Sequence, residues 1–113
     1  MKIINKINKA NDNNETYYSF EFFPPKTQTG QQNLYFKLEK MSNLEPMFVD
    51  VTWGAGGSTA DLTFDICKNI QSIFCLETQI HLTCTNMDET IIKKTLDKAV
   101  KAGIQNILAL RGD

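Results

Sequence analysis

Residues 17–27, YYSFEFFPPKT, set a single carboxylate, Glu21, inside an apolar, aromatic run. An ionised carboxylate withdrawn from water without a partner is expensive. In an apolar pocket the charged form is disfavoured, so the group keeps its proton toward neutral pH and can donate it. Pro24 and Pro25 stop the extended run and fix the exit of the chain, which would hold Glu21 rigidly. The ordinary alternative is a surface glutamate on an edge strand. The aromatic neighbours and the lack of a lysine beside it favour the proton donor.

Three other places carry chemistry-bearing residues. Thr52-Trp53-Gly54-Ala55-Gly56-Gly57-Ser58 is a glycine-rich turn ahead of a capped helix, a place where backbone can approach a ligand and a helix N-terminus attracts anions. Such a turn is also ordinary loop chemistry, and it is not a P-loop, because no lysine follows the glycines. His81 and Trp53 are each the sole residue of their type, and either could be purely structural. Arg111 is the one arginine against eleven lysines, and it stands beside Asp113. A planar, bidentate donor placed where lysine is otherwise used suggests a specific contact. The Arg111-Gly112-Asp113 string is also the integrin tripeptide, but that role needs an exposed extracellular loop and no secretion signal is present.

These residues must be positioned by regular elements. Extended apolar stretches at 17–23, 48–52, 79–84 and 104–110 alternate with helical patterns, each opening on a capping signature. Thr29-Gly-Gln-Gln32 precedes Leu34, Leu38 and Met41; Ser58-Thr-Ala-Asp61 precedes Leu62, Ile66, Ile70 and Ile73; Asn86-Met-Asp-Glu89 precedes Ile92, Leu96, Ala99 and Val100. Gly103 sits where a C-terminal cap belongs. The order βαβαβαβ predicts a parallel sheet with crossover helices. Glu21 to Thr52 is 31 residues, Thr52 to His81 is 29 and His81 to Asp113 is 32. A (β/α)8 barrel of ~250 residues gives about 31 to each unit. A doubly wound nucleotide fold would show a G-x-G-x-x-G after its first strand, which FFPPKTQTG lacks. The fold class expected is therefore α/β, the first four βα units of a TIM barrel.

Period-2 alternation puts Ser19 and Glu21 on one strand face, with Phe20 and Phe22 on the other. Asp50 and Thr52 separate from Val49 and Val51, and Gln79, His81 and Thr83 from Ile80, Leu82 and Cys84. Four strands cannot close a barrel, so the expectation is a fragment of a longer chain, or a chain that pairs with a second copy or a partner.

The 113 residues are 42% hydrophobic and 22% charged with a net charge of -1, the balance of a soluble, cytoplasmic globular protein. No apolar run reaches the roughly 18 residues of a membrane span. The near-neutral charge gives no reason to expect nucleic acid, and the one histidine and scattered cysteines give no metal-ligand spacing. Cys67, Cys75 and Cys84 are expected to be reduced, buried small hydrophobes. Residues 1–15 hold five asparagines and three lysines and are expected to be a disordered leader, with residues 16–113 forming the barrel portion.

Taken together, SFEFFPPK (19–26), VTWGAGGST (51–59), HLTCTN (81–86) and LALRGD (108–113) resemble methylenetetrahydrofolate reductase, in order and spacing, across essentially all of the chain after residue 15. The resemblance implies a (β/α)8 barrel carrying FAD, with NADH or NADPH as electron donor and 5,10-methylenetetrahydrofolate reduced to 5-methyltetrahydrofolate. By the same resemblance Glu21 matches the general acid that opens the folate's methylene bridge to a reactive iminium. Thr52, Trp53, His81, Arg111, Gly112 and Asp113 match flavin-contacting positions, and Asp113 also lies near the folate. Glu21, Phe22, Phe23, Pro24, Pro25 and Lys26 match the side where nicotinamide and folate stack in turn. The barrel of that family needs about twice this chain, so the activity is expected only with the missing half, and the full-length enzyme could be a homo-oligomer. The alternative is a truncated, non-catalytic fragment or interaction module.

Overall fold

The computed structural model describes residues 1–53 and 60–112. Four strands, β1 (Ser19–Phe22), β2 (Phe48–Val51), β3 (Thr78–Thr83) and β4 (Asn106–Leu110), form one parallel sheet in the order β1-β2-β3-β4. Helices α2 (Gln28–Ser42), α3 (Ala60–Ile73) and α4 (Glu89–Lys101) are the crossovers. Each strand lies beside its predecessor with no reversal of order. That is the winding of a barrel wall and not of a doubly wound sheet, which must reverse at a switch point.

The two strand faces separate as the alternation predicts. Val49, Val51, Ile80 and Phe22 face the helices, where they join Leu34, Leu38, Phe64, Ile66, Cys67 and Ile70 in one core. Leu38, Val49, Val51, Ile66 and Ile70 are fully buried, each side chain stabilising the fold by about 1.5–3 kcal/mol relative to exposure. The opposite face carries Glu21, Asp50 and Gln79, aligned by the register Glu21↔Asp50 and Asp50↔Gln79. At β4 the apolar residues Ile107, Leu108 and Leu110 stay more than a third exposed.

Helix starts differ from the sequence signatures by two residues. Thr27, not Thr29, caps α2, its Oγ1 accepting the Gly30 N–H at 3.0 Å. Asp88, not Asn86, caps α4, accepting the Ile91 N–H at 2.8 Å. Asn86 instead takes a left-handed turn conformation, φ 60°, which asparagine tolerates. The Ser58 cap expected for α3 lies outside the described residues. Gly103 does close α4, with φ 73° and its N–H on the Val100 carbonyl.

Residues 1–15 depart most from expectation. Ile3–Asp12 is a helix, α1, packed under the sheet. Ile3 and Ala10 are buried at 5% and 3% exposure, and with Ile7 they follow the i, i+4, i+7 spacing of one helix face. Its first turn is tied to the N-terminal ends of the strands. The Ile3 N–H donates to Asn106 Oδ1 at 2.9 Å, and Lys6 Nζ donates to the Met47 carbonyl at 3.3 Å. Asparagine-rich composition hid an amphipathic stripe.

Candidate functional site

At the C-terminal half of the sheet three titratable side chains from three adjacent strands converge. His81 on β3 lies between two carboxylates. Its Nε2 is 3.2 Å from Asp50 Oδ1 on β2, and its Nδ1 is 3.5 Å from Glu21 Oε1 on β1. The sheet itself causes this meeting. Glu21 and Asp50 are register partners, and His81 stands two residues beyond the partner of Asp50 on the same face. The fourth strand offers no charge here, since His81 is paired with Leu108.

Burial differs across the three. The His81 and Asp50 side chains are 13% and 15% exposed, whereas Glu21 is 50% exposed. Burial pushes the Asp50 carboxyl above its usual value; the hydrogen bond and charge of His81 oppose that rise, and the nearby Glu21 charge adds to it. The apolar pocket expected around Glu21 is not what surrounds it. Its sequence neighbours Phe20 and Phe22 project to the other face, where Phe22 is 8% exposed in the core, and Phe23 is 72% exposed. The neighbour of Glu21 in space is an imidazole.

Thr52 and Trp53 follow β2 directly. The Thr52 N–H donates to the Phe22 carbonyl at 3.0 Å, continuing the β1–β2 ladder past the strand end. Trp53 is half-buried and packs edge-on against Phe64, ring centroids 5.8 Å apart. The turn 54–59 and Asp113 lie outside the described residues. Pro24 and Pro25 are half-buried and Lys26 is exposed. The proline pair sits over the first turn of α2 so closely that a Cβ on Gly30 would come within 2.9 Å of Pro25 Cβ.

The loops after β3 and β4 are stitched together at the same end. The Arg111 carbonyl accepts the Thr85 N–H at 3.0 Å and the Thr85 hydroxyl as well. Gly112 has φ 85°, and a Cβ there would lie 3.0 Å from Thr83 Cβ. Only glycine fits both constraints without strain. The Arg111 side chain is exposed.

The structure thus brings Glu21 and His81 together, sets Thr52, Trp53, Arg111 and Gly112 at the C-terminal strand ends, and leaves the Phe22 side chain in the core. It adds Asp50, which the alternation had placed on the right face but no motif had marked. The available signal was a charged residue within FVDVT, on the face shared with Glu21 and His81. Among the described residues no cluster of His, Cys, Asp and Glu could hold a metal ion, and no helix is long and apolar enough to cross a membrane.

A family model described as methylenetetrahydrofolate reductase matches residues 6–113. Methylenetetrahydrofolate reductase (NADH) 1 of Arabidopsis thaliana is 50% identical over 113 residues, covering 100% of this chain and 19% of the plant protein. Methylenetetrahydrofolate reductase 1 of Schizosaccharomyces pombe is 51% identical over 114 residues, again 100% of this chain and 19% of the relative. The 5,10-methylenetetrahydrofolate reductase of Escherichia coli is 40% identical over 95 residues, covering 84% of this chain and 32% of that enzyme. The chain therefore spans about a fifth of the length of its plant and fission-yeast relatives.

Proposed function

The chain belongs to the methylenetetrahydrofolate reductase family, and from that premise we propose that it forms the first part of the catalytic wall of a complete (β/α)8 reductase. The reaction is reduction of 5,10-methylenetetrahydrofolate to 5-methyltetrahydrofolate with NADH or NADPH as electron donor. The observation that carries the reading is the Glu21 carboxyl, half-exposed at the C-terminal half of a parallel sheet and 3.5 Å from His81.

In this role Glu21 donates a proton to the folate nitrogen that leaves the methylene bridge. Breaking that C–N bond leaves an iminium carbon, the electrophile that accepts hydride. Half-exposure suits Glu21 to the task, because its proton must reach a substrate atom and be replaced from water. The fixed backbone around it, ended by Pro24 and Pro25 and wedged onto Gly30, holds the carboxyl in one place.

The residues at the strand ends fit FAD by their chemistry. Arg111 supplies a cation for an anionic group, the Thr52 hydroxyl supplies a polar contact, and Gly112 lets backbone approach closely because a Cβ is excluded there. Together with Trp53 and Asp113 these residues would hold the flavin, and Phe23 to Lys26 would border the folate. When bound, FAD supplies the hydride relay between nicotinamide and folate.

The test is Glu21→Gln in the full-length reductase. Flavin content and NAD(P)H oxidation with an artificial quinone acceptor are expected to persist, while folate reduction falls by about 10²–10⁴-fold. Retained folate reduction would remove Glu21 from the proton-donor role.

A further inference from the structure

Asp50 has no part in the proton transfer as stated above, yet it is the best-buried carboxylate of the cluster and the closer of the two to His81. An imidazole flanked by acceptors on both ring nitrogens can rotate about its side-chain bonds unless one of them is fixed. The Asp50 contact is that anchor: it is 3.2 Å long, it lies on the central pair of strands β2 and β3, and both partners are nearly covered. With Nε2 fixed on Asp50, the ring geometry leaves Nδ1 directed at Glu21, 3.5 Å away. The charge and hydrogen-bonding state of Asp50 therefore reach Glu21 through His81. The groups facing the imidazole are Glu21 from β1, Asp50 from β2 and the uncharged Leu108 from β4.

The geometry points to Asp50 as a positioning residue for the proton of Glu21, acting through His81, an inference that rests on the reductase reading given above. Asp50 touches neither folate nor cofactor in this role. It holds the imidazole in the orientation that supports the Glu21 carboxyl at the step where the folate nitrogen is protonated.

Two independent experiments bear on it. In the full-length reductase labelled with ¹⁵N-histidine, the two ring-nitrogen signals of His81 are identified by their loss in His81→Gln. Asp50→Asn is expected to move chiefly the Nε2 signal and Glu21→Gln chiefly the Nδ1 signal. If Asp50→Asn leaves Nε2 unmoved, the anchor does not exist and the inference fails, whatever the reaction.

In the full-length reductase, Asp50→Ala is expected to lower kcat for folate reduction about tenfold, with KM for folate and NAD(P)H oxidation by a quinone close to wild type. Asp50→Asn keeps an acceptor oxygen and should lose less, about threefold. In a Glu21→Gln background Asp50→Ala should add nothing further. A parallel fall in both half-reactions, or an undiminished Asp50→Ala effect in that background, would overturn the positioning role. If Glu21→Gln itself leaves folate reduction intact, the reductase reading fails at Glu21, while the NMR result still decides whether Asp50 anchors His81.

Discussion

The two ends of the sheet each hold a polar cluster, one drawn from β1, β2 and β3 and the other from β3, β4 and α1, and they are built in opposite ways. At the N-terminal floor, a neutral amide is the hub. The Asn106 amide donates to Glu77 Oε1 at 2.8 Å and to the Thr78 carbonyl at 3.3 Å, while its Oδ1 accepts the Ile3 N–H. The terminal ammonium lies 3.5 Å from Glu77 Oε2. At the mouth, two carboxylates converge on one imidazole, which even when protonated balances only one of them. The floor uses polar groups to fix α1 under the sheet, and the buried Asn106 amide has partners for both its oxygen and its nitrogen. The mouth leaves a surplus of charge facing solvent, the arrangement that shifts protons and marks sites of chemistry.

Substitutions at the two ends should therefore separate activity from stability. The largest effect belongs to Glu21→Gln, the ~10²–10⁴-fold loss of folate reduction already described, and its folding stability should stay within ~0.5 kcal/mol because the side chain is half-exposed. Asn106→Ala should do the reverse. It strips the Ile3 N–H of its acceptor and Glu77 of a donor in a buried setting, costing about 1–3 kcal/mol by denaturant unfolding, with folate reduction per folded enzyme unchanged. Loss of activity without loss of stability in Asn106→Ala would dissolve the contrast between the ends.

A smaller effect separates the ends by pH. The Asp50 carboxyl is raised in the folded chain, mainly by burial, so over the range just above 3.8 the native state binds a proton that the unfolded state has released. Stability contributed by this group is fully present below 3.8 and falls as pH rises through the raised value. Asp50→Asn removes the titration. Its stability relative to wild type, from urea unfolding between pH 3.5 and 7, should improve as pH rises. A flat difference across that range would mean that Asp50 titrates alike in both states.

Much of this arrangement was legible in the sequence, and what was not has identifiable causes. The thirty-residue spacing and the two-residue alternation located the strands and the face shared by Glu21, Asp50 and His81, because both follow from backbone geometry alone. The environment of Glu21 was misjudged because neighbours along a strand point to opposite faces; Phe20 and Phe22 border it in sequence but not in space. Asp50 was missed because its significance is a cross-strand contact with a residue 31 positions away. Helix α1 was missed because asparagine content outweighed a short apolar stripe, and its burial depends on Asn106, at the far end of the chain. The two shifted caps arose where a plausible Thr or Asn stood two residues from the one whose backbone is extended.

The three cysteines sample the comparison most finely. Cys84 follows β3 at the mouth, with Sγ 3.8 Å from the Arg111 carbonyl, and is exposed. Cys75 is exposed beside Leu76 and Glu77 at the floor, so of the three cysteines expected to be buried only Cys67 is. Cys67 lies between them on α3, fully buried in the core, where burial pushes its thiol up to about 12. The thiolate is the reactive form, so Cys67 is both shielded and protonated. At pH 8, iodoacetamide should label Cys75 and Cys84 readily and Cys67 only as fast as the chain opens. Raising the pH to 10 should leave Cys67 protected, although its folded-state proton then weakens stability, since the unfolded thiol begins to ionise near 9.0. In the full-length reductase, folate or nicotinamide bound at the mouth should slow labelling of Cys84 and leave Cys75 unchanged. Equal protection of both, read by peptide mass spectrometry, would mean that ligand binding tightens the whole wall and that the two ends are not independent.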